Sequence, residues 1–299
     1  MTYAYLHYDV FTDSALTGNQ LAVFTNPEGL TTDDMTRITR EMNYSECTFI
    51  QPPEHAGTDI RLRIFCPDGE MPFAGHPVIG STFAAAHEGL VKPGQGCVTF
   101  GLGLGPTPVD LEWKGAELWS AWMTQQLPKY GATLDARDRV AQVLGIDAAA
   151  IRDGVPIQEI SCGLPFLFVP VTSRAAVDQC VLDVRAADAM LKESGLTSRG
   201  IFVFSTEASD DDATAYSRML GTDREDPATG SASGPLGCYV VRYGLVPPDR
   251  SGRIVSRQGV KMGRPSRVRI RIAGAPDTIT DVKVGGESVL VGDGRITKL

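Results

Sequence analysis

Residues Glu225 to Pro248 read EDPATGSASGPLGCYVVRYGLVPP. An acid pair and a proline run into a Gly-Ser-rich turn, then an apolar stretch, then a second Gly and Pro stop. Laid over the segment from Cys66, CPDGEMPFAGHPVIGSTFAAAHEGLVKP, the stretch beginning at Gly221 aligns without a gap. Asp68, Glu70, Pro72 and Gly75 meet Asp223, Glu225, Pro227 and Gly230, and Gly89, Leu90, Val91 and Pro93 meet Gly244, Leu245, Val246 and Pro248. Identities clustered at both ends of one element point to an internal duplication, which organises the whole chain.

Each copy reads as strand, turn, helix and stop. Residues Ile60 to Phe65 alternate as a strand does, and Pro72 is expected to end it because proline lacks the backbone donor a sheet requires. His76 then stands at the expected helix cap, Pro77 in the first turn and Gly89 at the C-terminal stop. In the second copy Ser231 is the expected N-cap, GPLGCYVVRY the helix and Gly244 the stop. Both helices are nearly all apolar, so each is expected inside its own domain. A buried helix that starts in a Gly-rich turn offers unpaired N–H groups and a positive dipole end, which suits an anion. A single such turn reads first as a plain cap; its repetition, with an acid before the glycine and His76 or Ser231 after it, shifts the reading toward a pair of sites for a small carboxylate.

Length and composition set the frame. The chain has 299 residues, 42% of them hydrophobic and 21% charged, enough for two domains of about 150 residues. A formal net charge of −8 argues against nucleic acid or an anionic membrane as the main partner. The one basic stretch, Arg250 to Arg271, includes the alternating RVRIRI of a half-exposed strand. The N-terminus shows no signal-peptide pattern and no run of 18 apolar residues occurs, so a cytoplasmic protein is expected. Six cysteines form no C-x-x-C pair and only four histidines accompany them, so neither a zinc site nor a disulfide framework is indicated. The linker between domains is expected in AWMTQQLPKYGATLD, ahead of a helix from Asp135 to Gly145, and Thr206 to Thr214 reads as an exposed loop. Trp113, Trp119 and Trp122 read as buried strand residues or as a lining of the cleft.

Two further segments place polar groups at the entrance to apolar strands: TGNQLAVF from Thr17, and NYSECTFI from Asn43, which sets Glu46 beside Ser45. On residue type alone Glu46 is either a solvated strand-end carboxylate or a working acid.

Taken together, SECTF with Glu46, GEMPFAGHP with His76, EDPATGSA with Asp226 and Ser231, and GNQLAVF near the start resemble the PhzF-like family of phenazine-biosynthesis isomerases. The resemblance implies an α/β (α+β) chain with two pseudo-symmetric diaminopimelate-epimerase-like domains, each a curled, mostly antiparallel or mixed sheet around a central helix, with the active site between them. The domains are expected at 1–125, completed by a returning strand at 288–299, and at 126–287. It further implies Glu46 as general acid/base, with His76, Asp226 and Ser231 holding substrate and relaying protons. Asn19, Gly75, Thr229 and Gly230 are the expected substrate-binding positions. Family members are cofactor-independent homodimers, so no cofactor or metal is expected, and the partners expected are a small carboxylate-bearing substrate and a second copy of the chain.

The chemistry fits that assignment. Isomerisation by proton transfer needs one group to take a proton at one carbon and return it at another, in a site closed to water. Asp226 lies at a helix N-terminus, where negative charge is stabilised, which leaves Glu46 as the shuttle. A racemase of the same superfamily would need a thiol before each of the two helix-start glycines, but Ala74 and Thr229 stand there, and Cys66 and Cys238 are poorly placed. A non-catalytic carboxylate binder is the alternative of another class, distinguished by its failure to exchange substrate protons with solvent. One departure from the family pattern is Cys66, where a threonine is usual before the proline; a packed thiol is the simpler reading.

Overall fold

The computed structural model describes residues 2–221 and 224–297. The chain divides into two compact units, Met1–Thr124 with Val284–Leu299, and Gln125–Lys283. In the first unit β1 (Tyr3–Val10), β2 (Asn19–Phe24), α1 (Thr32–Met42), β3 (Glu46–Gln51), β4 (Ile60–Cys66) and β5 (Gly69–Met71) lead into α2 (Gly75–His87). Strands β6 (Cys97–Leu102), β7 (Gly105–Lys114) and β8 (Glu117–Thr124) follow. The second unit begins with β9 (Lys129–Thr133), α3 (Arg137–Leu144), β10 (Gln158–Ser161), β11 (Pro165–Pro170), α4 (Arg174–Gln179) and α5 (Val184–Glu193). It continues with β12 (Gly200–Ser205), β13 (Ala215–Gly221), β14 (Glu225–Asp226), α6 (Gly230–Arg242), β15 (Ile254–Gln258) and β16 (Ser266–Ala275), and β17 (Thr278–Gly286) carries the chain from the second unit back into the first. Finally β18 (Ser288–Ile296) pairs antiparallel with β1 in the first unit.

The duplication is exact at the level of topology. In the first unit β1 pairs antiparallel with β2, β2 parallel with β3, β3 antiparallel with β4, β4 parallel with β6 and β6 antiparallel with β7. In the second, β10, β11, β12, β13, β15 and β16 repeat that sequence of pairings in the same order and sense. Each parallel step needs a crossover: the first is supplied by α1 in one unit and by α4 with α5 in the other, the second by α2 and by α6. The repeated sequence motif starts at the end of β4 and of β13; the partner of Asp68, Asp223, lies outside the described residues.

Each sheet curls around one buried helix. Every residue of α2 from Gly75 to Ala85 is buried, as is every residue of α6 from Gly230 to Val241. Close approach requires glycine where the helices press on strands: a Cβ at Gly80 would stand 2.6 Å from Leu21 and 2.7 Å from Val10, and one at Gly237 2.5 Å from Ile270. Around α6 the core gathers Phe168, Phe202, Phe204 and Tyr239, with Phe204 and Tyr239 packed edge to face. A second layer of the same unit packs α3, α4 and α5 through Val140, Leu144, Val177 and Met190. In the first unit α1 covers Phe24 and Phe49 and starts in a capping box between Thr31 and Asp34.

Several local expectations change. His76 is the second residue of α2, whose N-cap is Ala74, and Ser231 is the second residue of α6, whose N-cap is Thr229. The glycines themselves adopt helical geometry, so both helices begin one residue ahead of the polar side chain, and Pro235 falls inside α6. Pro72 does not end β4; the chain turns back after Cys66 to form β5, and Pro72 follows that strand. A matching hairpin joins β13 to β14. The stretch read as a linker contains the end of β8 and the whole of β9. Trp122 is buried in β8, while Trp113 and Trp119 are half-buried. Thr206 to Thr214 carries no regular structure, as expected of a loop.

Candidate active site

In the first unit three residues that are distant in sequence meet at one end of the sheet. Asn19 opens β2 and Glu46 opens β3; because these strands run parallel, with Leu21 opposite Glu46, their first residues lie at the same end. The buried start of α2 brings His76 there. Glu46 Oε2 lies 3.6 Å from His76 Nε2, beyond direct hydrogen-bond range but within an ion-pair contact. Asn19 Nδ2 lies 3.1 Å from His76 Nδ1, and the Ser45 hydroxyl donates to Asn19 Oδ1 at 3.3 Å.

That order of donors and acceptors has one consistent direction. With its carbonyl oxygen taken by Ser45, Asn19 turns its NH₂ toward His76 and donates to Nδ1. The neutral ring then carries its proton on Nε2, the nitrogen facing Glu46. Burial of both Asn19 and His76 fixes their rotamers, whereas the Glu46 side chain retains some exposure. Asn19, expected as a substrate contact, here orients the imidazole. Ser45, quoted only as a neighbour of Glu46, holds the amide.

In the second unit the turn from Asp226 to Gly230 is built by hydrogen bonds. The Thr229 hydroxyl donates to Asp226 Oδ2 at 2.6 Å. Gln258, fully buried at the end of β15, accepts from the Thr229 backbone N–H at 3.0 Å. The same amide donates to the Asp226 carbonyl at 2.7 Å and to Thr229 Oγ1 at 2.9 Å. Ser266, the first residue of β16, donates to the Pro227 carbonyl at 2.9 Å, and Gln125 donates to the Gly230 carbonyl at 2.9 Å. Gly259 has φ +74°, and a Cβ there would stand 2.6 Å from Pro227 O, so the chain passes this turn only as glycine. Ser231 sits buried in the first turn of α6, and Gly75 and Gly230 are the first residues of the two central helices.

The segment QGVKMGRPS, Gln258 to Ser266, was therefore missed as part of the site. Its signal was two glycines around a tight turn directly after a strand, hidden within a stretch read only for its basic charge. The thiols hold no place in either cluster. Cys238 is fully buried within α6, 3.9 Å from the Cys162 sulfur, and the Cys66 thiol faces the Gly69 carbonyl. Two-thiol racemisation has no seat at Ala74 and Thr229. Among the described residues no group of three His, Cys, Asp or Glu side chains is arranged to hold a metal, and no helix is long and apolar enough to cross a membrane.

Two units of this topology, each with a curled sheet around one buried helix, define the diaminopimelate-epimerase-like fold class. The family described as phenazine biosynthesis-like protein matches residues 8–294, and the chain belongs to that family. It is 33% identical over 298 residues to a Pseudomonas chlororaphis protein named trans-2,3-dihydro-3-hydroxyanthranilate isomerase, covering 98% of each chain. A solved PhzF-family protein from Bacillus anthracis superposes with a TM-score of 0.88 over 100% of both chains at 23% identity. A hydroxyproline epimerase from Agrobacterium vitis shares the fold at a TM-score of 0.65, 13% identity and coverage of 99% and 92%. The chain is an isomerase of diaminopimelate-epimerase-like fold.

Proposed function

We propose that the chain is a cofactor-independent isomerase that moves a proton along a small unsaturated or hydroxylated carboxylic acid by general acid–base catalysis. The observation that carries the reading is Glu46 Oε2 at 3.6 Å from a buried His76 whose other ring nitrogen is held by Asn19. The Glu46 carboxylate removes a proton from a saturated carbon next to the π system, and the electron pair of that C–H bond enters the π system. The resulting Glu46 carboxylic acid returns the proton at the far carbon, so the double bond migrates and no oxidation or reduction occurs. His76 Nε2–H supplies a donor to the developing negative charge on the substrate. Substrate carboxylate is bound by the first-turn N–H groups at Gly75; those at Gly230, with Thr229 and Ser231, offer an equivalent anion site in the second unit. Asp226, already an acceptor for the Thr229 hydroxyl, serves as a fixed negative group that orients a substrate amine or hydroxyl.

The active form proposed is a homodimer. The first substrate probe is trans-2,3-dihydro-3-hydroxyanthranilate, because a relative that aligns over nearly the whole chain bears the name of its isomerase. Proton NMR in deuterated water follows double-bond migration and deuterium uptake. Glu46→Gln is expected to lower turnover by about 10²- to 10⁴-fold, the usual worth of a positioned acid/base. Near-normal turnover by that variant would move the shuttle to another group. Binding of the probe by the parent chain without exchange would favour a different carboxylic acid as the substrate.

A further inference from the structure

The duplicated topology makes β6 and β15 equivalent strands, and each ends against a glycine that abuts the duplicated proline. A Cβ at Gly103 would stand 2.8 Å from Pro72 Cα, as one at Gly259 would stand 2.6 Å from Pro227 O. The residue before that glycine is Leu102 in the first unit and Gln258 in the second, both buried. An apolar side chain therefore satisfies the position structurally, and its replacement by a fully buried amide asks for a reason.

The hydrogen bonds supply one. The Gln258 orientation is fixed by two groups with only one role each: the Thr229 N–H can only donate and the Asp226 carbonyl can only accept. The amide nitrogen left facing Thr229 Oγ1 must then donate to it. The hydroxyl proton of Thr229 is consequently directed away from Gln258, onto Asp226 Oδ2 at 2.6 Å. This short contact is a hydroxyl donating to a carboxylate.

Resting on the isomerase reading and deepening it, we propose that Gln258 is a positioning residue that sets the direction of the Thr229 hydroxyl and thereby keeps Asp226 as a hydrogen-bonded carboxylate acceptor. The first unit has no counterpart at Leu102, so the clusters of the two units differ in kind: in the proposed reaction Glu46 exchanges a proton and Asp226 remains an acceptor. Without Gln258 the Thr229 hydroxyl is free to rotate and Asp226 loses its oriented donor.

The test labels aspartate carboxyl carbons with ¹³C, assigns the Asp226 signal by its absence in Asp226→Asn, and compares variants of the full chain at neutral pH. Thr229→Val, Gln258→Met and the double variant are expected to move the Asp226 signal to the same new position, while Thr229→Ser keeps the parent position. A purely structural brace would leave the signal in place in Gln258→Met, and additive displacements in the double variant would show that the two residues act separately; either result overturns the proposal. Should Gln258→Met fail to fold, Gln258→Leu, which installs the residue found at the equivalent Leu102, removes both donors without adding a charge and is read the same way. The signal is observed without turnover, so a parent chain that exchanged no substrate proton would contradict the isomerase reading alone.

Discussion

In the proposed mechanism His76 donates from Nε2, the tautomer that two small polar residues, Asn19 and Ser45, select. Asn19→Leu removes the donor to Nδ1 while keeping bulk, so the ring can place its proton on either nitrogen. We expect kcat to fall by about 10- to 100-fold with a smaller change in KM, measured beside Ser45→Ala, which loosens the amide and is expected to cost less. The cysteines give a second residue-scale expectation. Burial pushes the Cys47 thiol up to about 12 and the Cys180 thiol up to about 11, and the Cys238 contact together with burial raises Cys162, so none is a thiolate at neutral pH. Cys97 is exposed and Cys66 half-buried. Brief treatment of the native protein with a maleimide followed by peptide mapping should label Cys97 first and Cys66 more slowly. Early labelling of Cys47 or Cys180 would contradict their burial. That Glu46 and His76 would lie together was legible because both sit inside motif strings, but the contact of Asn19 with the His76 ring was not, since an amide that orients a ring reads in sequence like one that touches a ligand.

At the scale of elements, the two buried helices and their glycine stops could be read directly, because an apolar run between Gly-rich ends has few other interpretations. The hairpins β4–β5 and β13–β14 could not: β5 has 3 residues and β14 has 2, too short for any periodicity to show. The caps moved for a related reason. Ala74 and Thr229 hold the N-cap positions with no side-chain bond to the helix backbone, so the usual preference for a polar cap had no purchase. Close packing yields a testable consequence. Gly80→Val would force a branched side chain against Leu21 and Val10, where even a Cβ comes within 2.6 Å, and should cost about 1 to 3 kcal/mol in urea unfolding. Thr31→Ala, which removes a solvent-exposed capping box from α1, should cost about 1 kcal/mol and leave turnover unchanged.

For the whole molecule, the sequence alignment of two 28-residue segments stands for a duplication of the complete unit, visible only when the strand pairings are compared. Elsewhere the two copies have diverged until composition alone no longer relates them; the crossover is one helix in the first unit and two in the second. The added helices bring a local ion cluster, in which Arg174 pairs with Asp211 at 2.7 Å and Arg257 approaches the same carboxylate at 3.4 Å. The Arg174 hydrogen bond holds the Asp211 carboxyl down at about 2. A carboxyl depressed in the folded state contributes stability above its unfolded value of about 4, and that contribution fades as pH falls through the folded value. The pair is partly exposed, so its worth is about 1 kcal/mol. Asp211→Asn should lower stability by that amount at pH 7 and converge with the parent near pH 2, as measured by urea midpoints at both values.

The most direct measurement is proton NMR of the parent chain and of Glu46→Gln in deuterated water with trans-2,3-dihydro-3-hydroxyanthranilate and a panel of small unsaturated or hydroxylated carboxylic acids. The account predicts that one acid undergoes double-bond migration with deuterium uptake in the parent, and that the variant binds the same acid with both changes lost. Equal exchange by parent and variant would contradict the assignment of the shuttle to Glu46 and with it the proposed mechanism.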